Sequence, residues 1–194
     1  MVVLESVLSK RPMIRKRLLK PFVINTNPDT VTAVAVLCAI FSGYFFYIGF
    51  FLATAIFLAL NGFLDLLDGE IAKKGKTTKK GDFIDHTADR ISDTAIFLGI
   101  AYNPAIPTDL ALLALISALL VSYLGTQAQA LTSRRMYGGL IGRAERHIVL
   151  FAGAIMAYAF SSVFALVFAV YAIIVLSIIT FMQRFYALYK VTGA

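Results

Sequence analysis

The chain has 194 residues, of which 59% are hydrophobic and 15% are charged, and its formal net charge is +7. Soluble domains average about 25% charged and about 45–50% apolar residues, so this composition excludes intrinsic disorder, a secreted disulfide scaffold and an ordinary cytosolic enzyme, and it predicts an integral membrane protein. The single cysteine, Cys38, lies in an apolar run, which excludes a disulfide and a cysteine-based metal site.

The N-terminal segment, residues 1–22, alternates apolar and basic side chains, with Pro12 as a break inside it. It is too short and too charged for a cleavable signal peptide. We expect it to lie as an amphipathic helix on anionic lipid headgroups at the membrane surface.

The rest of the chain contains six apolar stretches, each able to cross a hydrocarbon core of about 30 Å as a helix. Polar residues, proline or glycine separate them, and no repeat or second domain is visible. The sequence therefore predicts an all-α membrane protein in which residues 1–194 form a single domain and residues 28–188 a six-helix transmembrane region. The predicted spans are 28–48, 50–72, 82–102, 108–131, 145–160 and 163–188.

Basic residues mark one side of the predicted membrane domain. Five lysines lie between spans two and three and four arginines flank the connection between spans four and five, whereas the connections near 48–51, 103–108 and 161–162 contain neither residue. By the positive-inside rule, both termini and the basic connections are cytoplasmic in a multi-pass cell-membrane protein. Membrane orientation and lipid headgroups thus explain the positive charge, and it does not indicate nucleic-acid binding.

Seven of the eleven acidic residues lie in or beside the connection between spans two and three. Asp65 and Asp68 are about 60° apart on span two, and Asp85 and Asp89 are about 40° apart on span three. Because a short loop makes these spans antiparallel, the two acidic faces can meet. Four converging carboxylates repel one another, and Mg²⁺ or Mn²⁺ compensates such a site. Pairing with the neighbouring lysines and Arg90 is the simpler alternative, but it does not account for the helical spacing.

Small residues and a lysine beside this acidic face indicate a phosphate-containing ligand. Gly69 and Ala72 leave room for a ligand to approach the backbone, and Lys73 and the loop amides can hold phosphates. Metal, phosphate and lipid together indicate transfer of a phosphate group at the membrane surface.

These residues resemble the signature of the CDP-alcohol phosphotransferases, D-x-x-D-G-x-x-A-R, a spacer, and G-x-x-x-D-x-x-x-D. The first half corresponds to Asp65 through Lys73, where lysine replaces the arginine and so lacks its bidentate fork. The second half corresponds to Gly81 through Asp89, after a spacer one residue shorter than in the signature.

The resemblance implies an enzyme that transfers a lipid phosphate from a CDP-lipid to an alcohol and releases CMP. Asp65, Asp68 and Asp85 would then ligate two Mg²⁺ ions, with Mn²⁺ as an alternative. Asp89 would be the general base and would also contact the second metal. The CDP-lipid-binding residues implied are Asp29, Thr30, Thr32, Gly69, Ala72, Lys73, Thr78 and Gly81. For the two threonines that follow Pro28, plain helix capping is the alternative.

The segment from Gly142 to Arg146 resembles the R-x-E-R segment of the phosphatidylinositol-phosphate and archaetidylinositol-phosphate synthases of this family. This implies inositol 1-phosphate as acceptor and CDP-archaeol or CDP-diacylglycerol as donor. A phosphorylated acceptor needs a cationic cup, and arginine supplies planar, paired donors for it. The acceptor phosphate-binding residues predicted are Arg134, Arg143 and Arg146, followed by Arg135 and Arg184. For each arginine, a role in marking membrane orientation is the alternative.

Other charged residues near these arginines are given supporting roles. Asp93 and Glu145 are interpreted as partners of the arginines, and His86 as a neighbour of the acidic face that does not itself bind metal. His147 is interpreted as a helix-packing residue.

Two further alternatives remain open. Glycerol 3-phosphate would also need a cationic cup, so it is the second candidate acceptor. A divalent-cation transporter would also place aspartates in helices, although such a protein is expected to carry them near mid-membrane in several spans. The resemblance additionally implies a homodimer.

Overall fold

The computed structural model describes residues 27–74, 78–132 and 138–193, with side chains up to residue 72 in the first of these ranges. These ranges contain the helices α1 Pro28–Tyr47, α2 Phe51–Lys74, α3 Lys79–Ala101, α4 Thr108–Thr132, α5 Arg143–Phe160 and α6 Phe164–Thr192. The predicted all-helical fold is confirmed, and each predicted span corresponds to one helix whose ends lie within four residues of the expected ones. The amphipathic segment predicted at residues 1–22 lies outside the described residues.

Two helix starts near the site are fixed by side-chain caps. The Asn27 side chain accepts a hydrogen bond from the Asp29 backbone N–H at 3.1 Å, and Pro28 occupies the first turn of α1, where its missing N–H costs nothing. The Thr78 hydroxyl accepts from the Gly81 backbone N–H at 3.0 Å and so begins α3. Because these caps fix the first residue of each helix, they also determine which face of α1 and of α3 each functional side chain lies on.

Four helices in the described part of the chain are long and apolar enough to cross a membrane, namely α1, residues 51–72 of α2, α4 and α6. The other two, α3 and α5, begin with clusters of charged residues. Large apolar side chains point outward on the apolar helices, including Leu37 of α1, Ile116 of α4 and Phe168 of α6. Such a surface suits contact with lipid and suggests a helical membrane protein.

The main packing pairs connect the six helices in a ring. Helix α1 packs on α2 and α3, α2 on α5, α5 on α6, α6 on α4, and α4 on α3. Helices α3 and α5 are therefore not neighbours along the ring. Charged side chains from the two can meet only across its interior, near the end where α2 finishes and α3 and α5 begin.

Helices α1 and α3 approach each other closely because glycines face each other. A Cβ added to Gly99 would overlap the backbone of Gly43, and one added to Gly43 would overlap the carbonyl of Ala95. Small residues at a crossing let helix backbones come together in lipid. The crossing fixes the last turns of α1 and α3 against each other.

The segment before α5 is held by hydrogen bonds from α6. The Thr180 hydroxyl accepts from the backbone N–H groups of Leu140 and Ile141, each at 3.0 Å. The Arg184 side chain donates to the carbonyls of Gly138 at 2.7 Å and Val121 at 2.9 Å. These contacts fix where α5 begins, and with it the first arginine of that helix.

Candidate active site

Carboxylates from α2 and α3 converge at one end of the ring. Carboxylate oxygens of Asp65, Asp68 and Asp85 all lie within 4.8 Å of one another. Ligand atoms of Asp85, His86 and Asp89 form a second group that meets the same distance. The structure therefore brings together all four aspartates that the sequence singled out, with Asp85 common to both groups.

The donor set of the first group fits a hard divalent cation. Asp68 is only 5% exposed, and Asp65 and Asp85 are half-buried. Carboxylates this close cost free energy unless a cation compensates them, and oxygen ligands are those preferred by Mg²⁺ and Mn²⁺. The spacing is short enough for one ion to contact an oxygen of each residue.

The start of α1 reaches the same acidic cluster through Thr32. Its hydroxyl lies 2.8 Å from Asp68 Oδ2 and 3.0 Å from the carbonyl of Pro28, and the side chain is buried. Asp29 is half-buried and Thr30 exposed in the same turn. Asn27 performs the capping that was considered for the two threonines, so Thr32 is available to contact the acidic face.

The remaining residues predicted to bind the CDP-lipid lie along the edge between α2 and α3. Gly69 and Ala72 are half-buried on the turn that follows Asp68, and Gly81 is half-buried in the first turn of α3. Thr78 is exposed and accepts the helix-capping hydrogen bond described above. The side chain of Lys73 lies outside the described part of the chain.

Arg143, the first residue of α5, extends into the acidic cluster. Its Nη1 atom lies 2.6 Å from Asp65 Oδ1 and 2.6 Å from Asp89 Oδ1. A guanidinium stays charged at any physiological pH, so these are charge-assisted contacts. One predicted acceptor-binding arginine thus touches one predicted metal ligand and the predicted base.

Asp93 lies one turn beyond Asp89 on α3 and contacts three basic side chains of α5. Arg146 Nη2 lies 2.8 Å from Asp93 Oδ2, and His147 Nε2 and Arg143 Nε lie 3.3 Å and 3.4 Å from Asp93 Oδ1. Asp93 and Arg146 are each 1% exposed. The expected pairing of Asp93 with arginines is present, and His147 joins it rather than packing among apolar side chains alone.

Glu145, also expected to pair with the arginines, accepts a hydrogen bond from the Gly142 backbone N–H at 3.0 Å. It thereby caps the start of α5. Arg184 is a residue of α6, and its side chain donates to the backbone carbonyls of Gly138 and Val121, as described above. Arg134 and Arg135 lie outside the described residues.

Two further basic side chains border the acidic face. His86 Nε2 lies 3.3 Å from Asp82 Oδ1 and Nδ1 lies 3.6 Å from Asp85 Oδ2, and Arg90 Nη1 lies 3.4 Å from Asp89 Oδ2. Sequence reasoning gave His86 a supporting role only, whereas the structure places it in a group able to hold a metal ion. Its i, i+3 spacing to Asp89 was the signal available in the sequence.

On an apolar helical protein, a cluster of carboxylates suited to a divalent cation, with a guanidinium beside it, fits phosphate chemistry. The sequence model of the CDP-alcohol phosphatidyltransferase family matches residues 25–190, and the chain belongs to this family. The protein is therefore a transferase and not a cation transporter, and the predicted family is confirmed.

Two similar proteins within this family carry a named activity. The chain is 35% identical over 164 residues to the archaetidylinositol phosphate synthase of Pyrococcus horikoshii, covering 84% of each chain. It is 37% identical over 160 residues to the archaetidylinositol phosphate synthase of Methanothermobacter thermautotrophicus, covering 79% of this chain and 80% of that one.

A solved structure shows the same fold. The phosphatidylinositol phosphate synthase of Mycobacterium tuberculosis with CDP-DAG bound superposes with a TM-score of 0.78 at 28% identity, covering 91% of this chain and 94% of that one. The same synthase has also been solved in complex with manganese and citrate, with a TM-score of 0.72 at 28% identity, covering 91% of this chain and 87% of that one.

Proposed function

We propose that this transferase moves a lipid phosphate from CDP-archaeol or CDP-diacylglycerol to inositol 1-phosphate and releases CMP. The observation that carries the proposal is the position of Arg143, which brings a fixed positive charge within 2.6 Å of both Asp65 and Asp89. An acceptor that carries its own phosphate requires a cation beside the base, and a neutral alcohol does not. Relatives named as inositol phosphate synthases support the same acceptor.

The carboxylate cluster is the proposed metal centre. Asp65, Asp68 and Asp85 would hold Mg²⁺, with Asp89 as a ligand of a second ion and Mn²⁺ as a substitute. Bound ions would neutralise the pyrophosphate of the CDP-lipid and stabilise the CMP leaving group. Thr32 supports the centre by orienting the buried Asp68 carboxylate. The manganese complex of the Mycobacterium tuberculosis synthase is in line with such a centre.

Asp89 is the proposed general base for the acceptor hydroxyl. Its carboxylate is buried and lies between two guanidinium groups, Arg143 Nη1 at 2.6 Å from Oδ1 and Arg90 Nη1 at 3.4 Å from Oδ2. These contacts restrict its rotation, so the carboxylate is oriented before the acceptor arrives. Because Arg143 is also a proposed ligand of the acceptor phosphate, one side chain would hold both the base and that phosphate.

The CDP head would lie along the edge formed by the start of α1, the end of α2 and the start of α3. The residues proposed to bind it are Asp29, Thr30, Thr32, Gly69, Ala72, Lys73, Thr78 and Gly81. The lipid chains would remain in the bilayer. The acceptor phosphate would be bound by Arg134, Arg143 and Arg146 at the start of α5 and in the connection before it.

We also propose that all six helices span the cell membrane as one domain over residues 1–194, with both termini and the active site cytoplasmic, and that two copies form a homodimer.

A test of the topology uses the single native cysteine. In a Cys38→Ser background, Ser162→Cys should react with a membrane-impermeant maleimide on intact cells and Lys80→Cys only after permeabilisation. The reverse pattern would contradict the orientation. Crosslinking of the detergent-solubilised protein tests the dimer.

The catalytic proposal is tested by CMP release from purified protein. Each CDP-lipid is supplied with Mg²⁺ and, in turn, inositol 1-phosphate, glycerol 3-phosphate, inositol and serine. We expect release with inositol 1-phosphate and little with unphosphorylated inositol or serine, because both lack the phosphate that the arginines bind. Faster release with glycerol 3-phosphate would assign that acceptor instead, and no release with any acceptor would refute the proposal.

A further inference from the structure

Asp93 is separate from the aspartates assigned to metal or base, yet it is the most enclosed carboxylate of the site. It lies on α3 one helical turn beyond Asp89, and its side chain is fully buried. Its two oxygens are shared among three basic side chains of α5, Arg143, Arg146 and His147. Asp93 therefore acts together with Asp89, also on α3, in holding the basic start of α5 across the ring.

Without such a carboxylate, the two arginines would oppose each other. Arg143 and Arg146 are i, i+3 on α5 and lie on the same face of the helix, where like charges are destabilising. Burial strengthens that repulsion because the local dielectric constant is low. Asp93 contacts both guanidinium groups and so offsets their mutual repulsion, while Asp65 and Asp89 offset further charge on Arg143.

The Arg146 side chain carries donors that this arrangement leaves unused. Its Nε and Nη1 atoms are buried and have no hydrogen-bond partner among the described residues, although the residue is 1% exposed. A buried ion pair with a purely structural role is expected to satisfy its donors, because each unsatisfied one costs free energy. Asp93 holds the guanidinium of Arg146 through Nη2, and the other two donor atoms stay unpaired among the described residues. Buried donors left unpaired in this way indicate a ligand with several acceptor oxygens.

We propose that Asp93 is a positioning residue for the acceptor phosphate. It holds the guanidinium groups of Arg143 and Arg146 so that both can donate to the same phosphate. This inference rests on the proposed function and assigns a residue to its acceptor half. It differs from a helix-packing role, which would affect both substrates and the fold alike.

The test compares Asp93→Asn and Asp93→Glu with wild type. Loss of the charge should raise the KM for inositol 1-phosphate about 10-fold or more, with the KM for the CDP-lipid within about 2-fold of wild type. The glutamate variant keeps the charge but displaces it by one methylene, so its KM for inositol 1-phosphate should lie between those of the wild type and of Asp93→Asn. Asp109→Asn, exposed in the first turn of α4, is the matched control for net charge and should leave both KM values unchanged.

Phosphate binding provides a readout that does not depend on the identity of the alcohol. Inorganic phosphate should raise the Tm of the wild type and of the Asp109→Asn control, and should raise that of Asp93→Asn much less. Equal stabilisation of all three proteins, or none of the wild type, would overturn the inference. So would an equal rise of both KM values, or the failure of both Asp93 variants to bind CDP-lipid, since either would show a role in the fold. An inactive wild type that phosphate still stabilises would refute the proposed function alone.

Discussion

Replacing Arg143 with glutamine should have opposite effects on the two halves of the candidate site. Glutamine is uncharged and ends two bonds short of the Nη atoms, so Asp65 and Asp89 would each lose a cation that lies 2.6 Å from one oxygen. The acceptor would lose a phosphate partner and should bind more weakly. A metal ion would lose a competitor for the same carboxylates and should bind more tightly.

The structure bounds the size of both effects. A pair of opposite charges about 4 Å apart near a protein surface is worth about 4 kcal/mol. Asp65 keeps 35% of its side chain exposed, so solvent screens that pair and the net effect is smaller. Net contributions of hydrogen bonds to charged groups, about 1.5–3 kcal/mol, correspond to about 10- to 150-fold in the acceptor KM. For metal affinity, we expect a gain of up to about 10-fold, since one cation is removed from an already crowded cluster.

Calorimetric titration with Mn²⁺ and separate KM measurements for the two substrates check this prediction. Arg143→Lys is the matched variant, because it keeps the charge but loses the planar guanidinium whose Nη1 contacts Asp65 and Asp89 while its Nε contacts Asp93. It should lie between wild type and Arg143→Gln in both assays, and Lys190→Gln near the C-terminus should match wild type. Weaker Mn²⁺ binding by Arg143→Gln, or an equal rise in both KM values, would refute the reasoning.

Three further outcomes follow from the site and the helix packing. Asp89→Asn should lower kcat about 100-fold or more while leaving CDP-lipid binding largely intact; substantial activity in a single-turnover CMP assay would remove Asp89 as the base. Chelation by EDTA should abolish CMP release and lower the Tm, because the converging carboxylates then repel one another, and Mg²⁺ or Mn²⁺ should restore both; an unchanged Tm would argue against a metal centre. Gly99→Ala should destabilise the protein by about 1–3 kcal/mol, because its Cβ would overlap the backbone of Gly43, whereas Gly62→Ala should be tolerated because nothing lies within 4 Å of that added atom. Equal thermal stability of these two alanine variants would contradict the described crossing of α1 and α3.

Helical periodicity was sufficient to predict the helices and the acidic faces, but not how the helices meet. Spacing alone places Asp65 and Asp68 on one face of α2, because that depends only on the repeat of the helix itself. The contact of Arg143 with Asp65 and Asp89 depends on α5 packing against α2 and facing α3, and no local pattern encodes that. Long-range hydrogen bonds could not be predicted from the sequence for the same reason. One example is the bond from the Thr32 hydroxyl to the carboxylate of Asp68, 36 residues away.

The charges around the site indicate why its ligands belong together. Among the described, non-exposed side chains of the site, with every carboxylate ionised, five aspartates (Asp65, Asp68, Asp85, Asp89 and Asp93) face three arginines (Arg90, Arg143 and Arg146), which leaves an excess of two negative charges there. One divalent cation balances that excess. A second would leave the buried site net positive, at a cost in free energy, unless a pyrophosphate arrived with it. The two proposed ions therefore require the CDP-lipid, and Mn²⁺ titration should give close to one ion per chain alone and two with a CDP-lipid present. Two tight ions in its absence would show that the protein charges alone are sufficient.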